Sequence, residues 1–391
     1  MISLVIGIFC FFVVLIVGRG SRRPLATRDD QPPVSILVTA RDEEATITAC
    51  INSLVTQDYP RDKLKIVFVN HLSVDRTGEL MDDFARRYED LITVIHVKEE
   101  DEEYKGKVQG LLAGIDVVDT EYLLITDGDC IVPTTWASSM MAHFTDELDA
   151  IGGLVTVERL KGQERPVEHL QHVDHWYYIG MMAGLTNACG PGIDKWCLMH
   201  RLPKSLHKLA GRYRPVFLIG NNIGIRISTY DQVGGYRAIG STVIEDFALV
   251  NRLMKNSRGA FALVLDNGAR VVTTPVKKFK TLWRQKRRWA AALRFFNPVN
   301  SFLYALLFLI RIVVPWLVFV WPLESIAALV LMAAADWIVI KRVSSRIGDK
   351  VHTWEILMQE FYQIILNHLL LLAWLIRWPV VWKGQIYRKP R

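Results

Sequence analysis

Asp127-Gly128-Asp129 is the strongest chemical signal in the chain. Two carboxylates either side of a glycine can offer oxygen ligands to a hard divalent cation, which keeps positions open for substrate phosphates. The same tripeptide is common in surface turns. Here it follows the apolar run Tyr122–Thr126, so the carboxylates fall at the end of a buried strand. Upstream, Lys105-Gly106-Lys107 opens a helical pattern, and a helix N-terminus with lysines attracts phosphate oxygens. A solvated basic turn answering the acidic run Glu99–Glu103 is the alternative. Glu245-Asp246 opens another helical segment, running to Met254. Acids in a first turn commonly cap the helix dipole, yet group transfer to a hydroxyl also needs a carboxylate to take its proton. Finally, Gln285, Arg288 and Trp289 lie in a basic stretch. They suit an interfacial amphipathic helix with snorkelling cations. Equally, Arg288 suits a leaving diphosphate, with Gln285 and Trp289 lining an acceptor channel.

Such residues need a scaffold. Val34–Thr39, Lys65–Val69, Leu91–Val97 and Tyr122–Thr126 read as short buried strands, and Glu43–Val55, Asp75–Tyr88 and Lys107–Val117 carry helical periodicity. Strands alternating with helices predict an α/β domain with a parallel sheet, whose ligands bind beyond the carboxyl ends of the strands. Thr39, Asn70 and Asp127 then share one rim. His172, Asp174 and His175 have helical spacing and aromatic neighbours, which favours a packed helix over a metal cluster. Cys189 to Arg214 reads as a loop-rich insertion over the cleft, in contact with an acceptor.

Of the 391 residues 51% are hydrophobic, and the excess is local. Ile2–Val17, Phe302–Val320, Ile326–Ile340 and Ile364–Val381 approach membrane-spanning length, with Trp316, Trp321, Trp337, Trp374, Trp378 and Trp382 toward their ends. The first run lacks a basic n-region and a cleavage site, which favours an uncleaved anchor over a signal peptide. Expected segments are the anchor (1–20), a catalytic domain (33–275), a basic interfacial helix (276–300), about three spanning or re-entrant helices (301–382) and a basic tail (383–391). The formal charge is +7, and Arg19, Arg22, Arg23 and the cluster from Lys277 to Arg294 flank apolar runs. That placement marks a cytoplasmic membrane face rather than a nucleic-acid surface. Four simple spans leave the basic tail outside, so either the last run is re-entrant or interfacial, or the charge rule fails. Arg311 and Asp336 reach similar depth either side of the Trp321-Pro322 turn and are expected to pair; a snorkelling Arg311 is the alternative. Five scattered cysteines without CxxC spacing fit a reducing compartment and neither a disulfide framework nor a zinc site.

In order and spacing, these signals resemble the family-2 glycosyltransferases. Within them the likeness is to the membrane-embedded branch of cellulose, hyaluronan and chitin synthases and ceramide glucosyltransferase, and it runs from Val34 to Trp289. Thr39, Ala40 and Glu43 fall in a segment similar to the first-strand nucleotide motif, and Ser73, Asp75 and Thr77 in one similar to S-x-D-x-T. Lys107 takes the "GK" position, and Asp127 and Asp129 the DxD. Gly220-Asn221-Asn222, Arg226 and Val233–Tyr236 resemble the segment before the acidic motif. Asp246 matches the base of the "ED" pair; Gln285, Arg288 and Trp289 match QxxRW.

The resemblance implies a GT-A fold (nucleotide-diphospho-sugar transferase, Rossmann-like), bound Mg²⁺ or Mn²⁺ and inverting displacement. Where the family usually places Asp-Asp or Asn-Asp after the second strand, this chain has Asn70-His71. His71 either donates to a base carbonyl or is an ordinary loop residue, and UDP is the default nucleotide. Expected partners are a nucleotide-sugar, a lipid or lipid-linked acceptor and a membrane, with no nucleic acid. The expected location is the cell inner (plasma) membrane, multi-pass, with the catalytic domain cytoplasmic. The small number of spans favours single transfer to a lipid over processive polysaccharide synthesis. An inactive nucleotide-sugar-binding scaffold is the alternative of another class.

Overall fold

The computed structural model describes residues 2–20, 25–159, 166–188, 216–242, 244–257, 259–291, 298–382 and 385–387. Cys189, Cys197, the whole of the expected 189–214 insertion, Arg22, Arg23, Arg294 and the ends of the basic tail lie outside them.

The sheet begins with β1 (Val34–Ala40), all seven residues of which are buried. It lies parallel to β2 (Leu64–His71) and β4 (Tyr122–Asp127), and β2 pairs in parallel with β3 (Ile92–Val97). Strand residues alternate between two cores, as a period of two requires. Val34, Ile36 and Val38 pack with Ile51 and Leu54 of α2 (Ile47–Val55), Phe84 of α3 (Thr77–Arg87) and Trp136 of α5 (Trp136–His143). Leu37, Val67 and Val69 pack instead with Val108 and Leu111 of α4 (Lys107–Ile115).

Several expected boundaries move. The helix expected from Glu43 starts at Ile47, because Glu43–Thr46 form a turn, and β2 runs on to His71 rather than stopping at Val69. The sheet is also not wholly parallel. Its seven-stranded order is β3-β2-β1-β4-β8-β6-β9, with β6 (Leu148–Gly152), β8 (Ile223–Arg226) and β9 (Ala260–Leu263), and β8 is antiparallel to both neighbours. That reversal is functional in effect, since a reversed strand starts at the rim where the others end. A second sheet orders β5 (Cys130–Ile131), β10 (Val271–Thr273) and β7 (Val155–Val157) as β5-β10-β7.

The long helix α6 (Pro166–Ala188) packs on β7 and β9 and also on three apolar helices, α1 (Ile2–Gly20), α11 (Pro322–Arg346) and α12 (Thr353–Leu375). Between them come α7 (Ile227–Gln232), α8 (Glu245–Asn256), α9 (Phe279–Ala290) and α10 (Pro298–Leu317). By length and composition α11 and α12 are able to cross a membrane, whereas Ser3–Leu15 and Tyr304–Leu317 are shorter apolar stretches. Trp321 precedes Pro322, the first residue of α11, so the expected turn is present.

The expected Ile364–Val381 run needs correction at both ends. Helix α12 starts at Thr353 and stops at Leu375, with Arg377 at φ 51° and Pro379 ending it. Val380–Trp382 then forms β11, paired with β12 (Gln385–Tyr387).

Candidate active site

The carboxyl ends of β1, β2 and β4 make one rim, as expected: Thr39 aligns with Asp127, and Ala40 with Asn70. Asp127 ends β4 and Gly128 turns the chain against the end of β1. A methyl group at Gly128 would come 2.7 Å from Ala40 Cβ, so both residues must be small for Asp127 and Asp129 to sit there. Ala40 thus shapes the rim rather than binding through a polar group. Thr39 is buried, and its Oγ1 has no hydrogen-bond partner among the described residues.

Ser73, Asp75 and Thr77 fasten the loop after β1. Ser73 Oγ accepts from Asp42 N (3.1 Å), Thr77 Oγ1 from Glu43 N (2.8 Å) and Asp75 Oδ2 from Glu44 N (3.1 Å). Asp42 is held at φ 56°, a left-handed conformation that side chains other than glycine rarely adopt. This clamp sets Glu43, whose charge reaches Asp129.

Lys107 starts α4 after Gly106, whose φ of 65° lets the loop turn into the helix. Its ammonium lies 2.6 Å from Asp127 Oδ1 and 3.2 Å from Glu245 Oε1. Burial works against the lysine's charge, but Asp127, Glu245 and Asp246 outweigh it and hold its pKa above the ordinary value. Burial, then Asp127, then Glu43 push the Asp129 carboxyl up to about 6. Burial, then Glu245, push Asp246 up to about 6, against hydrogen bonds from Gly220 and Phe247 and the charge of Lys107. Those two backbone N–H groups donate to Asp246 Oδ2 (2.9 Å) and Oδ1 (2.8 Å), which fixes the carboxylate plane. A methyl group at Gly220 would lie 2.8 Å from Asp246 Cβ, so glycine is required there.

The start of β8 closes the rim. Thr126 Oγ1 donates to Asn221 O (2.9 Å), and Asn222 Nδ2 donates to Leu154 O and Ala269 O (each 2.8 Å) while its Oδ1 accepts from Trp136 (3.0 Å). Beneath the carboxylates lie two buried thiols: Cys50 Sγ donates to Asp127 O (3.5 Å) and Cys130 Sγ to Asp129 Oδ1 (3.4 Å).

This geometry joins a buried parallel core, an antiparallel strand delivering Gly220–Asn222 to the rim, and carboxylates on both sides of one lysine. A glycosyl transferase family 2 profile matches residues 35–231, half of the chain, and a profile for glycosyl transferase family group 2 matches 202–377. The chain belongs to glycosyl transferase family 2. Among its relatives is a beta-monoglucosyldiacylglycerol synthase of Nostoc sp., 24% identical over 295 residues, which are 74% of this chain and 54% of that protein. Another is the probable glycosyltransferase YdaM of Bacillus subtilis, 34% identical over 98 residues, 25% of this chain and 23% of that one. The chain therefore spans about half, or less, of the relatives it matches. The mannosyltransferase PcManGT of Pyrobaculum calidifontis, solved with GDP-Man and Mn²⁺, superposes with a TM-score of 0.55 at 17% identity, covering 94% of this chain and 98% of that one. The likeness shows the GT-A fold.

Two residues expected at the nucleotide are engaged within this family-2 domain. Asn70 Nδ2 meets His96 Nδ1 (3.1 Å) and its Oδ1 accepts from Ser73 N (3.3 Å), while His71 is buried with Nε2 3.0 Å from Gln109 Oε1. His71 is the last residue of a strand, not a loop residue. Gln285, Arg288 and Trp289 sit on α9, whose Leu282 packs against Tyr362 and Leu366 of α12. Trp289 meets the rings of His175 (5.7 Å) and Tyr178 (6.2 Å) edge-on, and Gln285 Oε1 is buried with no partner among the described residues.

His172, Asp174 and His175 belong to a packed helix, as expected. His172 pairs with Asp349 (3.0 Å), and His175 Nδ1 with Gln171 O (2.8 Å). Glu245 is the residue that sequence reasoning missed. It reads as an ordinary helix cap, whereas it is buried and shares Lys107 with Asp127.

Proposed function

We propose that the chain transfers one sugar from a nucleotide-sugar, UDP-linked by default, to a lipid or lipid-linked acceptor at the cytoplasmic face of a membrane. The observation that carries this is the convergence of Asp127, Asp129, Lys107 and Asp246 on one rim. Asp246, held by Gly220 and Phe247, takes the proton of the acceptor hydroxyl as its oxygen attacks the anomeric carbon and the bond to the diphosphate breaks. Thr39, Ala40, Glu43 and the Asn70-His71 edge line the nucleotide end. Lys107 and Arg288 supply positive charge toward the leaving diphosphate.

The donor set fits a divalent cation. Asp127 and Asp129 offer hard oxygens, and among the described residues no group of three or more His, Cys, Asp and Glu would hold a metal alone. Substrate phosphate oxygens and water would complete the shell of an ion held there, as suits Mg²⁺ or Mn²⁺. When bound, the ion neutralises charge developing on the leaving group. A beta-monoglucosyldiacylglycerol synthase among the relatives supports a lipid acceptor, and the apolar α11 and α12 beside α6 support a membrane.

The test uses the full chain in detergent with UDP-glucose, UDP-galactose and GDP-mannose, diacylglycerol, and divalent metal or EDTA. Metal-dependent glycolipid formation that Asp246→Asn abolishes, with nucleotide binding retained, is the expected result. Long polymer would make the chain a processive synthase. Tight nucleotide binding without turnover would make it an inactive scaffold.

A further inference from the structure

Lys286 is anomalous. It lies in the most basic stretch of the chain, on a helix where Lys280 and Arg284 are exposed, yet its own side chain is only 2% exposed. Its ammonium pairs with Asp174 of α6, which is 0% exposed. The other oxygen of Asp174 accepts from Gln359 Nε2 (2.6 Å) and Gln363 Nε2 (2.5 Å) of α12. One carboxylate thereby joins α6, α9 and α12. Desolvating two charges is expensive, and an apolar pair of the same volume would often hold helices together as well. Such a pair is explained better by the geometry it imposes than by stability.

That geometry leads to Trp289. Lys286 Nζ stands 4.1 Å from the centroid of the Trp289 ring and 5.0 Å from that of Tyr178, within reach of cation–π attraction. The ring is therefore held on one side by a buried cation that Asp174 fixes, and at its edges by His175 and Tyr178. Neither Gln359 nor Gln363 has an apolar role at that depth; both close the coordination of Asp174.

We propose that Asp174 and Lys286 are positioning residues that set the rotation of α9 and, through the cation over its ring, the pose of Trp289 toward the acceptor. This rests on the reading of Trp289 as an acceptor-channel residue. Loss of the pair leaves Lys107, Asp127 and Asp129 in place, because other elements hold them, while Arg288 shares α9 and moves with Trp289. The signature is a defect in acceptor use with donor affinity retained.

The experiment takes the full chain in lipid nanodiscs with UDP-glucose and diacylglycerol. Asp174→Asn and Lys286→Met are expected to raise the acceptor KM ~10-fold with the donor KM unchanged. Lys286→Arg, which keeps the charge, should restore most of it. Lys286→Met combined with Trp289→Phe should be no worse than the worse single change, as for residues acting through one another. A fall in kcat with both KM values unchanged marks a merely structural pair and overturns the proposal.

A second readout does not need turnover. In protein labelled with 5-fluorotryptophan, the Trp289 resonance, assigned by its loss in Trp289→Phe, should shift in Asp174→Asn. An unchanged resonance in the folded variant overturns the proposal. If the wild type transfers no sugar, the functional reading fails and the fluorine signal still decides this one. Should Lys286→Met fail to fold, Asp174→Asn, nearly isosteric, carries both measurements.

Discussion

Neutralising Glu245 tests the proposed chemistry most directly. Asp246 must be ionised to take a proton, and its carboxyl stands at about 6 instead of 3.8, raised first by burial and next by Glu245. That difference corresponds to ~3 kcal/mol at 1.36 kcal/mol per pH step. Burial is the first cause and Glu245 the second, so removing its charge is expected to recover part of that difference, on the order of 1 kcal/mol. Glu245→Gln keeps the side chain's size and its place in α8 but removes that charge. Lys107, left with Asp127 at 2.6 Å, still favours the ionised Asp246, so nothing opposes the change. The Asp246 pKa falls, the base form survives into more acid solution, and the acid limb of kcat/KM moves down by about 0.5 to 1.

Asp129 also stands at about 6 and complicates the profile. Protons compete there with the divalent cation, so its part of the limb moves with metal concentration, whereas that of Asp246 does not. The assay is therefore kcat/KM for transfer across the acid range, at limiting and at saturating metal, for the wild type and Glu245→Gln. An acid limb that stays put or moves upward in the variant at saturating metal refutes the reasoning. A wild-type limb that shifts entirely with metal removes Asp246 from the rate law.

Three further outcomes follow from the geometry. A raised carboxyl pKa means stability that is present below 3.8 and lost as pH rises through about 6, so Asp129→Asn should stabilise metal-free protein at neutral pH by ~1 kcal/mol while abolishing transfer. Thermal unfolding in EDTA checks this, and a variant less stable than the wild type contradicts it. Ser241 Oγ donates to Glu103 O (2.7 Å) and accepts from Lys105 N (2.8 Å), joining the loop before Lys107 to the loop before Glu245. Ser241→Ala should lower kcat/KM by ~5-fold, about one hydrogen bond's worth, and unchanged kinetics would disprove the link. Arg311 pairs with Asp336 as expected, and with Glu360 (3.2 Å) and Tyr177 (3.4 Å) besides. Arg311→Gln should cost about 3–5 kcal/mol, partly recovered with Asp336→Asn; strictly additive losses in unfolding free energy would argue against coupling.

The rim was legible in the sequence because each of its strands is a short apolar run punctuated by polar loop residues. β6 and β8 were not. Asp149 lies buried inside β6, satisfied by the hydroxyls of Thr229 (3.0 Å) and Ser257 (2.5 Å), so no clean apolar run is left to read. Gly224 interrupts β8 because a side chain there would strike Ile151 and Leu124 (2.8 and 2.9 Å). The start of α12 was misread for a related reason. Glu355, Gln359, Glu360 and Gln363 break the apolar run, yet they face Arg159, Asp174 and Arg311 rather than lipid or water. Glu245 shows the limit most sharply, because its role depends on Lys107, a residue distant in sequence that the fold brings to it. Local pattern reads periodicity and punctuation, while a polar residue's partner is a property of the fold.

The polar joint between the family-2 domain and its apolar helices also has a physical rationale. Between helices surrounded by lipid there is no hydrophobic drive to select one rotation over another, and packing alone leaves neighbouring registers close in energy. Three pairs meet α6 or the strand leading toward it: Asp174 with Lys286, His172 with Asp349 (3.0 Å), and Arg159 with Glu355. Rotating α6 by one residue would disturb these contacts, and separating Asp174 from Lys286 would leave a buried charge without its counter-ion at a cost of several kcal/mol. On the proposed membrane placement, these pairs convert a joint that could slide into one with a single register. On the proposed function, with the donor held by the sheet and the acceptor coming from the bilayer, that register matters because the proposed base on α8 and the tryptophan proposed for the acceptor channel on α9 would have to meet the same hydroxyl.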